Sequence, residues 1–176
     1  LTDQLAKNYN IDEERIYACG YSNGGFFSQE LACQLTNKIA AIATVAANMS
    51  SQTVNNCDPS HPVPVITISG TMDKVVQYDG SRPEGTISHN NTLDYWITFN
   101  NMDAEPIISD LQDINIFDGS SVTLYQYLNG DNYVEIEHYK IVDGGHDWPG
   151  TFGNMDIDAN TVIWNFVSQF DINGKR

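Results

Sequence analysis

Three short segments of the chain are apolar over nearly their whole length. They are residues 15–21 (RIYACGY), 39–47 (IAAIATVAA) and 63–69 (VPVITIS). A strand of a parallel sheet is buried on both faces, so it reads as a continuous apolar run rather than as an alternation of apolar and polar positions. The pattern therefore predicts three strands of a mainly parallel sheet.

Apolar residues at helical spacing lie between and after these strands. Such residues recur three or four positions apart in three helices: a short one through Leu1, Leu5 and Tyr9 that ends near Asn10, one through Phe27, Leu31 and Leu35, and one through Ile163, Phe166, Val167 and Phe170. A further helix is predicted near residues 92–100. Asp158 is a candidate N-cap of the last helix. Strands that alternate with helices predict an α/β fold.

The stretch between the third and fourth helices is predicted to contain a hairpin. Residues 122–127 and 133–142 flank Asn129-Gly130, a dipeptide that is typical of tight β-turns. Residues 103–120, which precede the hairpin, are predicted to be loop with one short strand.

The charge of the chain excludes two classes of partner. Its 176 residues include 8 Lys and Arg but 23 Asp and Glu, for a formal net charge of −15. Nucleic acids and anionic membrane surfaces attract proteins through Lys and Arg, so neither is expected to bind. The longest apolar run, 39–47, is also far shorter than the roughly 18 residues of a membrane-spanning helix. Asp156 and Asp158 are interpreted as part of a solvated acidic surface rather than as metal ligands.

Three cysteines are predicted to form one disulfide. Cys33 lies near the end of the second helix and Cys57 in the loop before strand 63–69, so both stand at the ends of neighbouring elements. Cys19 lies inside a strand and is expected to be a buried thiol. The chain has no C-x-x-C pair, so no structural zinc site is expected. No cofactor and no other metal is predicted either. A disulfide is typical of a secreted or periplasmic protein.

Residues 20–24 (GYSNG) match the pattern G-x-S-x-G where strand 15–21 passes into a helix. In this setting, a serine on a strained turn exposes its hydroxyl as a nucleophile. Side chains at the flanking positions would collide with the strand or the helix, which accounts for Gly20 and Gly24. Ser22 is therefore the candidate nucleophile; the alternative is a glycine-rich turn with an incidental serine.

A nucleophilic serine needs a histidine as its base, and four histidines compete. His146 lies in the glycine-rich segment 144–150 (GGHDWPG), directly after the last strand, where a loop can fold over the carboxyl edge of the sheet. His61 and His89 are interpreted as loop residues. His138 lies within an alternating strand, where a histidine is more often a surface or cross-strand residue. His146 is therefore the candidate base.

Asp73 is the candidate for the acid that orients the base. It comes shortly after strand 63–69, at the carboxyl end where open α/β sheets build their sites. Asp79 and Asp143 are its rivals, and an aspartate in such a loop is often only a turn-former. The order serine, aspartate, histidine along the chain is the order of hydrolases with this strand–turn–helix motif.

Together these motifs resemble the C-terminal part of an α/β-hydrolase of the polyhydroxybutyrate-depolymerase and feruloyl-esterase type. The matching segments are residues 15–25, 31–33, the approach from Cys57 to Val65, 69–80 and 144–150. The resemblance implies Ser22 as nucleophile, His146 as base and Asp73 as acid, with the backbone N–H of Asn23 as one oxyanion-hole donor. Ser69 departs from the relatives, which often carry His there; this concerns the pocket and leaves the triad intact.

The resemblance also implies an α/β-hydrolase fold, with a mainly parallel sheet flanked by helices. Residues 1–176 are expected to form a single domain, the C-terminal part of the catalytic domain, without the N-terminal strands. Strand 15–21 would then have an open edge, and an N-terminal segment or a second chain is expected to complete the sheet. Trp148, beside His146, and Tyr21, beside the nucleophile, are the candidate substrate-binding residues.

The function predicted from these residues is that of a serine carboxylic-ester hydrolase that works through an acyl-enzyme. The expected substrates are polyhydroxyalkanoates, or hydroxycinnamoyl or acetyl esters of plant polysaccharides. A serine peptidase of the same fold is the alternative among enzymes, because the triad alone does not distinguish esters from amides. A non-catalytic binding domain that kept the turn for packing is the alternative outside them.

Overall fold

The computed structural model describes residues 2–176, and a central sheet runs through them. Its strands are β1 (Tyr17–Tyr21), β2 (Ala41–Val45), β3 (Val65–Gly70), β4 (Ile107–Asp110), β5 (Ser121–Tyr127) and β6 (Ile136–Val142). They lie in the spatial order β1-β2-β3-β6-β5-β4, with β1, β2, β3 and β6 parallel. Strands β5 and β4 follow in antiparallel pairing. The prediction of a mainly parallel sheet with helices is confirmed.

Five helices and a small two-stranded ribbon accompany the sheet in the described residues. The helices are α1 (Thr2–Ala6), α2 (Asn23–Gln34), α3 (Ser51–Asn55), α4 (His89–Phe99) and α5 (Ala159–Val167), and the ribbon pairs β7 (Phe170–Asp171) with β8 (Gly174–Lys175). Asp158 caps α5 as predicted, since its carboxylate accepts the N–H of Thr161 at 2.7 Å. None of these helices has the length and apolarity needed to cross a bilayer.

Two apolar clusters lie on opposite faces of the sheet. On one face, side chains of α2 and α4, Trp96 among them, pack on Ile42 and Val65. On the other face, Phe166 of α5 packs in a cluster that includes Ile66. Neighbouring positions along β3 thus point to opposite clusters, which explains why the strand is apolar along its whole length.

The connection between β5 and β6 is longer than the predicted hairpin. Residues 131–133 form a short 3-10 turn, and β6 begins only at Ile136. A two-residue type I′ turn needs a positive φ at both central residues. Asn129 has φ 60°, but Gly130 has φ −63°. The antiparallel pairing of the two strands is as predicted, and the predicted tight turn is wrong.

Two helices end earlier than predicted. Helix α1 ends at Ala6 rather than near residue 10, and Tyr9 is exposed, so no packing extends the helix. Leu1, which the prediction places in this helix, lies outside the described residues. Helix α5 ends at Val167, and Phe170 instead begins the small ribbon, where it is fully buried.

The cysteines differ from the prediction at one position. Cys33, near the end of α2, and Cys57, in the loop before β3, form the predicted disulfide. Cys19 has a free thiol, but the residue is exposed rather than buried. It lies on β1, which in the described part of the chain pairs only with β2, so the strand is at an edge of the sheet. The prediction that Cys19 is a buried thiol is therefore wrong.

Candidate active site

Ser22 occupies the turn between β1 and α2. Its backbone has φ 53° and ψ −119°, a sparsely populated conformation that a residue with a Cβ adopts only at an energetic cost. The turn is held on both sides: Ser22 N–H donates to Val45 O at 2.9 Å, and Ser22 O accepts the N–H of Gly25 at 2.9 Å. The hydroxyl does not cap the helix, so it is not tied to the helix end.

The glycines of the motif do not have equal importance. A Cβ on Gly20 would lie 2.0 Å from the backbone carbon of Gly24, so no side chain fits there. A Cβ on Gly24 would meet nothing within 4 Å, and the predicted steric need for glycine at this position is wrong. Glycine is needed one residue later instead, because a Cβ on Gly25 would lie only 2.5 Å from Ala47 Cβ.

The carboxylate of Asp73 is buried and has three donors. Oδ1 accepts the N–H groups of Val75 and Val76, at 2.7 and 2.9 Å. Oδ2 faces Nδ1 of His146 at 2.7 Å. Only 1% of the Asp73 side chain is exposed, and burial of a carboxylate is tolerable when its oxygens are hydrogen-bonded in this way.

His146 lies in the loop after β6, which packs against the loop after β3. Met72 N–H donates to Gly144 O at 2.8 Å, and a Cβ on Gly70 would lie 2.3 Å from the same oxygen. The hydroxyl of Tyr21 donates to the carbonyl oxygen of His146 at 2.8 Å. These contacts hold the imidazole in place while leaving part of its ring open to solvent.

Ser22, Asp73 and His146 all lie at the end of the sheet where the parallel strands finish. Each follows the carboxyl end of a different parallel strand, β1, β3 or β6. The structure brings Asp73 and His146 into direct contact. Among the described residues, the hydrogen bonds of His146 are those to Asp73 and Tyr21, and none reaches Ser22 Oγ. The assignment of the three as a catalytic triad stays a prediction.

The rival carboxylates make other contacts. Asp79 folds back on its own turn, where its Oδ1 accepts the N–H and the hydroxyl of Ser81 at 2.9 and 2.6 Å. Asp143 is exposed, and its backbone N–H donates to Thr71 Oγ1 at 2.9 Å. Both residues therefore shape the loops around the site rather than face the imidazole.

The other predicted site residues surround the same end of the sheet. Asn23 is the first residue of α2, so its N–H has no acceptor within the helix. Trp148 is half-buried and meets the ring of Tyr21 edge-on, with centroids 6.2 Å apart. Burial, followed by two nearby carboxylates, raises the pKa of Tyr21, so its hydroxyl remains a donor to His146. Tyr21 thus holds the His146 loop, a contact that the sequence did not indicate.

Of two further histidines, His89 is placed differently from the prediction, whereas His138 is a cross-strand residue, one of the two predicted possibilities. His89 is not a loop residue: α4 begins at it, because Ser88 Oγ accepts the N–H of Asn91 at 3.1 Å and caps the helix. His138, on β6, is 2% exposed. Both imidazoles lie within hydrogen-bond distance of Thr67 on β3. A serine at an N-cap is a signal that could have placed His89 in the helix.

A cavity of about 440 Å³ opens beside the Asp73 loop. It is lined by residues of the segment 71–79, with Asp73 and Tyr78 among them. The segment between β3 and α4 therefore both supplies the carboxylate and encloses open volume next to it.

The acidic residues near the end of the chain are not uniformly solvated. Asp156 is buried, contrary to the prediction, and its Oδ1 accepts the N–H groups of Ile114 and Asn115 at 2.8 and 3.0 Å. Asp158 is exposed and serves as the cap of α5. Within residues 2–176, no three His, Cys, Asp or Glu side chains are grouped so as to hold a metal ion.

Comparison with known proteins places the chain near esterases. No protein-family model matches it. It is 31% identical over 174 residues to the bifunctional acetylxylan esterase/xylanase XynS20E of Neocallimastix patriciarum, and 30% identical over 172 residues to feruloyl esterase B of Piromyces equi. It is also 24% identical, over an alignment of 204 residues, to poly(3-hydroxyalkanoate) depolymerase C of Paucimonas lemoignei. The predicted resemblance is confirmed.

These similarities cover most of the chain but only part of each relative. They extend over 99%, 92% and 97% of this chain, but over 23%, 28% and 46% of the three relatives in the same order. The chain thus spans about a quarter of the first two relatives and about half of the third. The similarity concerns the segment that contains Ser22, Asp73 and His146, not the relatives as whole proteins.

Proposed function

We propose that this chain carries the catalytic triad of a serine carboxylic-ester hydrolase, with Ser22 as nucleophile, His146 as base and Asp73 as acid. The main support is the 2.7 Å contact between His146 Nδ1 and the buried Asp73 Oδ2, at the sheet edge where a strained turn presents Ser22. The relatives, which are named as esterases and a depolymerase, support the same class of reaction.

Asp73 determines which nitrogen of His146 carries the proton. A carboxylate can only accept, so Nδ1–H donates to Oδ2 and Nε2 is bare. The bare Nε2 takes the proton of Ser22 Oγ as this oxygen attacks the ester carbonyl carbon. The negative charge of Asp73 then stabilises the imidazolium, and the two backbone donors on Oδ1 keep the carboxylate from rotating away.

The remaining steps use the end of α2 and one water molecule. The N–H of Asn23 and the positive end of the helix dipole stabilise the oxyanion of the tetrahedral intermediate. His146 Nε2–H then protonates the alcohol oxygen as the ester C–O bond breaks, which leaves the acyl group on Ser22. Water attacks the acyl carbon with Nε2 as base, and the acid leaves as Ser22 Oγ regains its proton.

The proposal extends to the fold of the chain, the compartment in which the protein acts and the class of its substrates. We assign residues 1–176 to one catalytic domain of the α/β-hydrolase type, on the basis of the parallel strands and the strand–turn–helix motif at Ser22. The disulfide fits an oxidising compartment, outside the cell or in a periplasm. The substrates proposed are hydroxycinnamoyl or acetyl esters of polysaccharides, or polyhydroxyalkanoates, with half-buried Trp148 beside the acyl group.

Labelling with a fluorophosphonate tests this function. The full-length protein is compared with Ser22→Ala and with Ser109→Ala, a change at an exposed serine on β4. We expect label on Ser22 in the wild type and in Ser109→Ala, and a loss of kcat on p-nitrophenyl and hydroxycinnamoyl esters on the order of 10³-fold or more in Ser22→Ala. Undiminished hydrolysis by Ser22→Ala would contradict the assignment of the nucleophile.

The same experiment separates the alternatives. A protein that is neither labelled nor hydrolyses any ester would point to a non-catalytic binding domain. A peptide amide assayed beside the esters distinguishes a peptidase, which would cleave both with the same dependence on Ser22.

A further inference from the structure

A row of polar side chains crosses the sheet on the face that carries α2 and α4. Thr44, Thr67 and His138 are direct neighbours in register on β2, β3 and β6. Each of them is at most 2% exposed, and His89 of α4 is fully buried against the same row. The cost of burying polar groups is offset only where hydrogen bonds join them.

The direction of the hydrogen bonds follows from Asn48 and Gln77. The backbone oxygen of Gln77 can only accept, so Asn48 Nδ2 donates to it at 3.1 Å. Asn48 Oδ1 therefore faces Nδ1 of His89 at 3.0 Å as an acceptor, which places a proton on that nitrogen. Because burial lowers the pKa of His89 to about 3, the imidazole is neutral and its Nε2 is bare.

The single proton of the Thr67 hydroxyl determines the direction of the hydrogen bonds between the two histidines. Thr67 Oγ1 lies 3.1 Å from His89 Nε2 and 2.9 Å from His138 Nδ1, and these two nitrogens are 3.2 Å apart. If both nitrogens were bare, one of them would have no donor. His138 therefore carries its proton on Nδ1, and the Thr67 hydroxyl donates to His89. The bare Nε2 of His138 accepts the hydroxyl of Tyr78 at 2.8 Å.

Burial holds this network in its neutral state. It is the main cause that lowers the pKa of His138 well below the ordinary value, and it raises the pKa of Tyr78. Both imidazoles are therefore neutral, and the Tyr78 hydroxyl is protonated. If either imidazole took up a second proton, two donors would face each other, and one hydrogen bond of the network would be lost.

The network begins and ends on adjacent residues of one loop. Its hydrogen bonds run in one direction, from Tyr78 through His138, Thr67, His89 and Asn48 to Gln77. The backbone N–H of His89 also donates to Tyr78 O at 2.9 Å. This loop carries Asp73, and the two N–H groups that hold Asp73 Oδ1 come from the residues just before Gln77.

We propose that His89 and His138 are positioning residues: through Thr67 they clamp the loop that carries Asp73 and keep its carboxylate on His146. Neither histidine contacts the reacting atoms of the proposed mechanism. The proposal rests on the proposed function, because the position of Asp73 matters for the rate only if Asp73 belongs to a triad. The clamp itself is a property of the loop and can be measured without any substrate.

Two threonines of the buried row supply a matched pair of variants. Thr67→Val removes the hydroxyl that links the imidazoles and keeps the shape of the side chain. Thr44→Val makes the same change at an equally buried position on the neighbouring strand, where the hydroxyl has no partner among the described residues. Thr67→Ser keeps a hydroxyl at the same position and serves as the conservative variant. Tyr78→Phe removes the hydroxyl that donates to His138; because Tyr78 is only half-buried, this variant remains usable if Thr67→Val does not fold.

The full-length protein and these variants are compared by amide hydrogen exchange and by ester hydrolysis below the melting transition. We expect the amides of Val75 and Val76 to exchange about tenfold faster in Thr67→Val and Tyr78→Phe. We expect kcat to fall about 10- to 100-fold in these two, with KM nearly unchanged, as for a misplaced catalytic group. Thr44→Val should match the wild type, and Thr67→Ser should recover most of the loss.

Two outcomes would overturn the proposal. One is equal exchange at Val75 and Val76 in Thr67→Val and Thr44→Val; the other is a change of KM alone in Tyr78→Phe, which would assign its hydroxyl to the substrate. If the wild type shows no hydrolysis that depends on Ser22, the proposed function fails. The exchange data would still decide whether the histidines clamp the loop.

Discussion

Asp73 Oδ2 accepts Nδ1–H of His146 at 2.7 Å, while Oδ1 of the same carboxylate accepts two backbone N–H groups. The two oxygens thus have different partners. The backbone donors fix the plane of the carboxylate, and the other oxygen is left to determine the tautomer of His146. An amide in place of the carboxylate cannot accept the two backbone N–H groups and also accept the Nδ1–H of His146.

The first prediction concerns Asp73→Asn. The amide oxygen has to remain on the two backbone donors, so the NH₂ group faces His146 Nδ1. This nitrogen must then accept, which moves the imidazole proton to Nε2 and removes the base. We expect kcat for ester hydrolysis to fall by about 10⁴-fold with KM little changed. Asp143→Asn, at an exposed carboxylate after β6, is the control and should keep its kcat.

The second prediction uses the unequal glycines of the turn. Gly20→Ala places a Cβ onto the backbone of Gly24, and we expect it to lower the free energy of unfolding by about 3 kcal/mol or more. Gly24→Ala meets open space within a helix and should raise the free energy of unfolding by about 0.5–1 kcal/mol. Urea unfolding of the two variants measures the difference. Equal destabilisation by both changes would contradict the contacts seen at the turn.

Strands β1, β2 and β3 were predictable because each of them carries a local signal. Strand β3 lies between two apolar clusters and is apolar along its length, whatever the rest of the chain does. The bounds of β6 were not predictable in this way. Tyr133 has the left-handed φ of 58°, which alternation of apolar and polar residues does not indicate, so the strand begins three residues later.

In the candidate site, too, some features were predictable from the sequence and others were not. The motif around Ser22 and the glycine-rich segment around His146 are short and contiguous, so the sequence shows them directly. The meeting of His89 with His138 depends on the register of β3 with β6 and on the first turn of α4. Those relationships arise only when distant segments pack, and no spacing along the chain reveals them.

The third prediction concerns the disulfide. The bond between Cys33 and Cys57 joins residues 24 apart, and in the chain-entropy model its removal lowers the free energy of unfolding by about 3–4 kcal/mol. The double variant Cys33→Ser/Cys57→Ser is compared with Cys19→Ser, which changes the free thiol on β1. We expect a clear loss of stability in urea unfolding for the first and less than about 0.5 kcal/mol for the second, an exposed position. A similar small effect in both would mean that the disulfide does not stabilise the fold.

The fourth prediction is that stability falls as the pH drops below about 6.5, the ordinary pKa of histidine. Burial lowers the pKa of His89 to about 3 and is the main cause that lowers the pKa of His138 well below its ordinary value. The unfolded chain therefore binds protons below pH 6.5 that the folded chain does not bind. His89 alone should lower the free energy of unfolding by about 2 kcal/mol by pH 5, and His138 acts in the same direction.

Urea unfolding between pH 7 and pH 5 measures this loss, and the imidazole proton resonances of His89 and His138 identify its source. Both sets of resonances should stay constant over the range, because the two side chains remain neutral while the protein is folded. Glu137, whose pKa burial raises, acts in the opposite direction and reduces the net slope. Titration of either buried imidazole near pH 6.5 in the folded protein would contradict the neutral network on which the clamp depends.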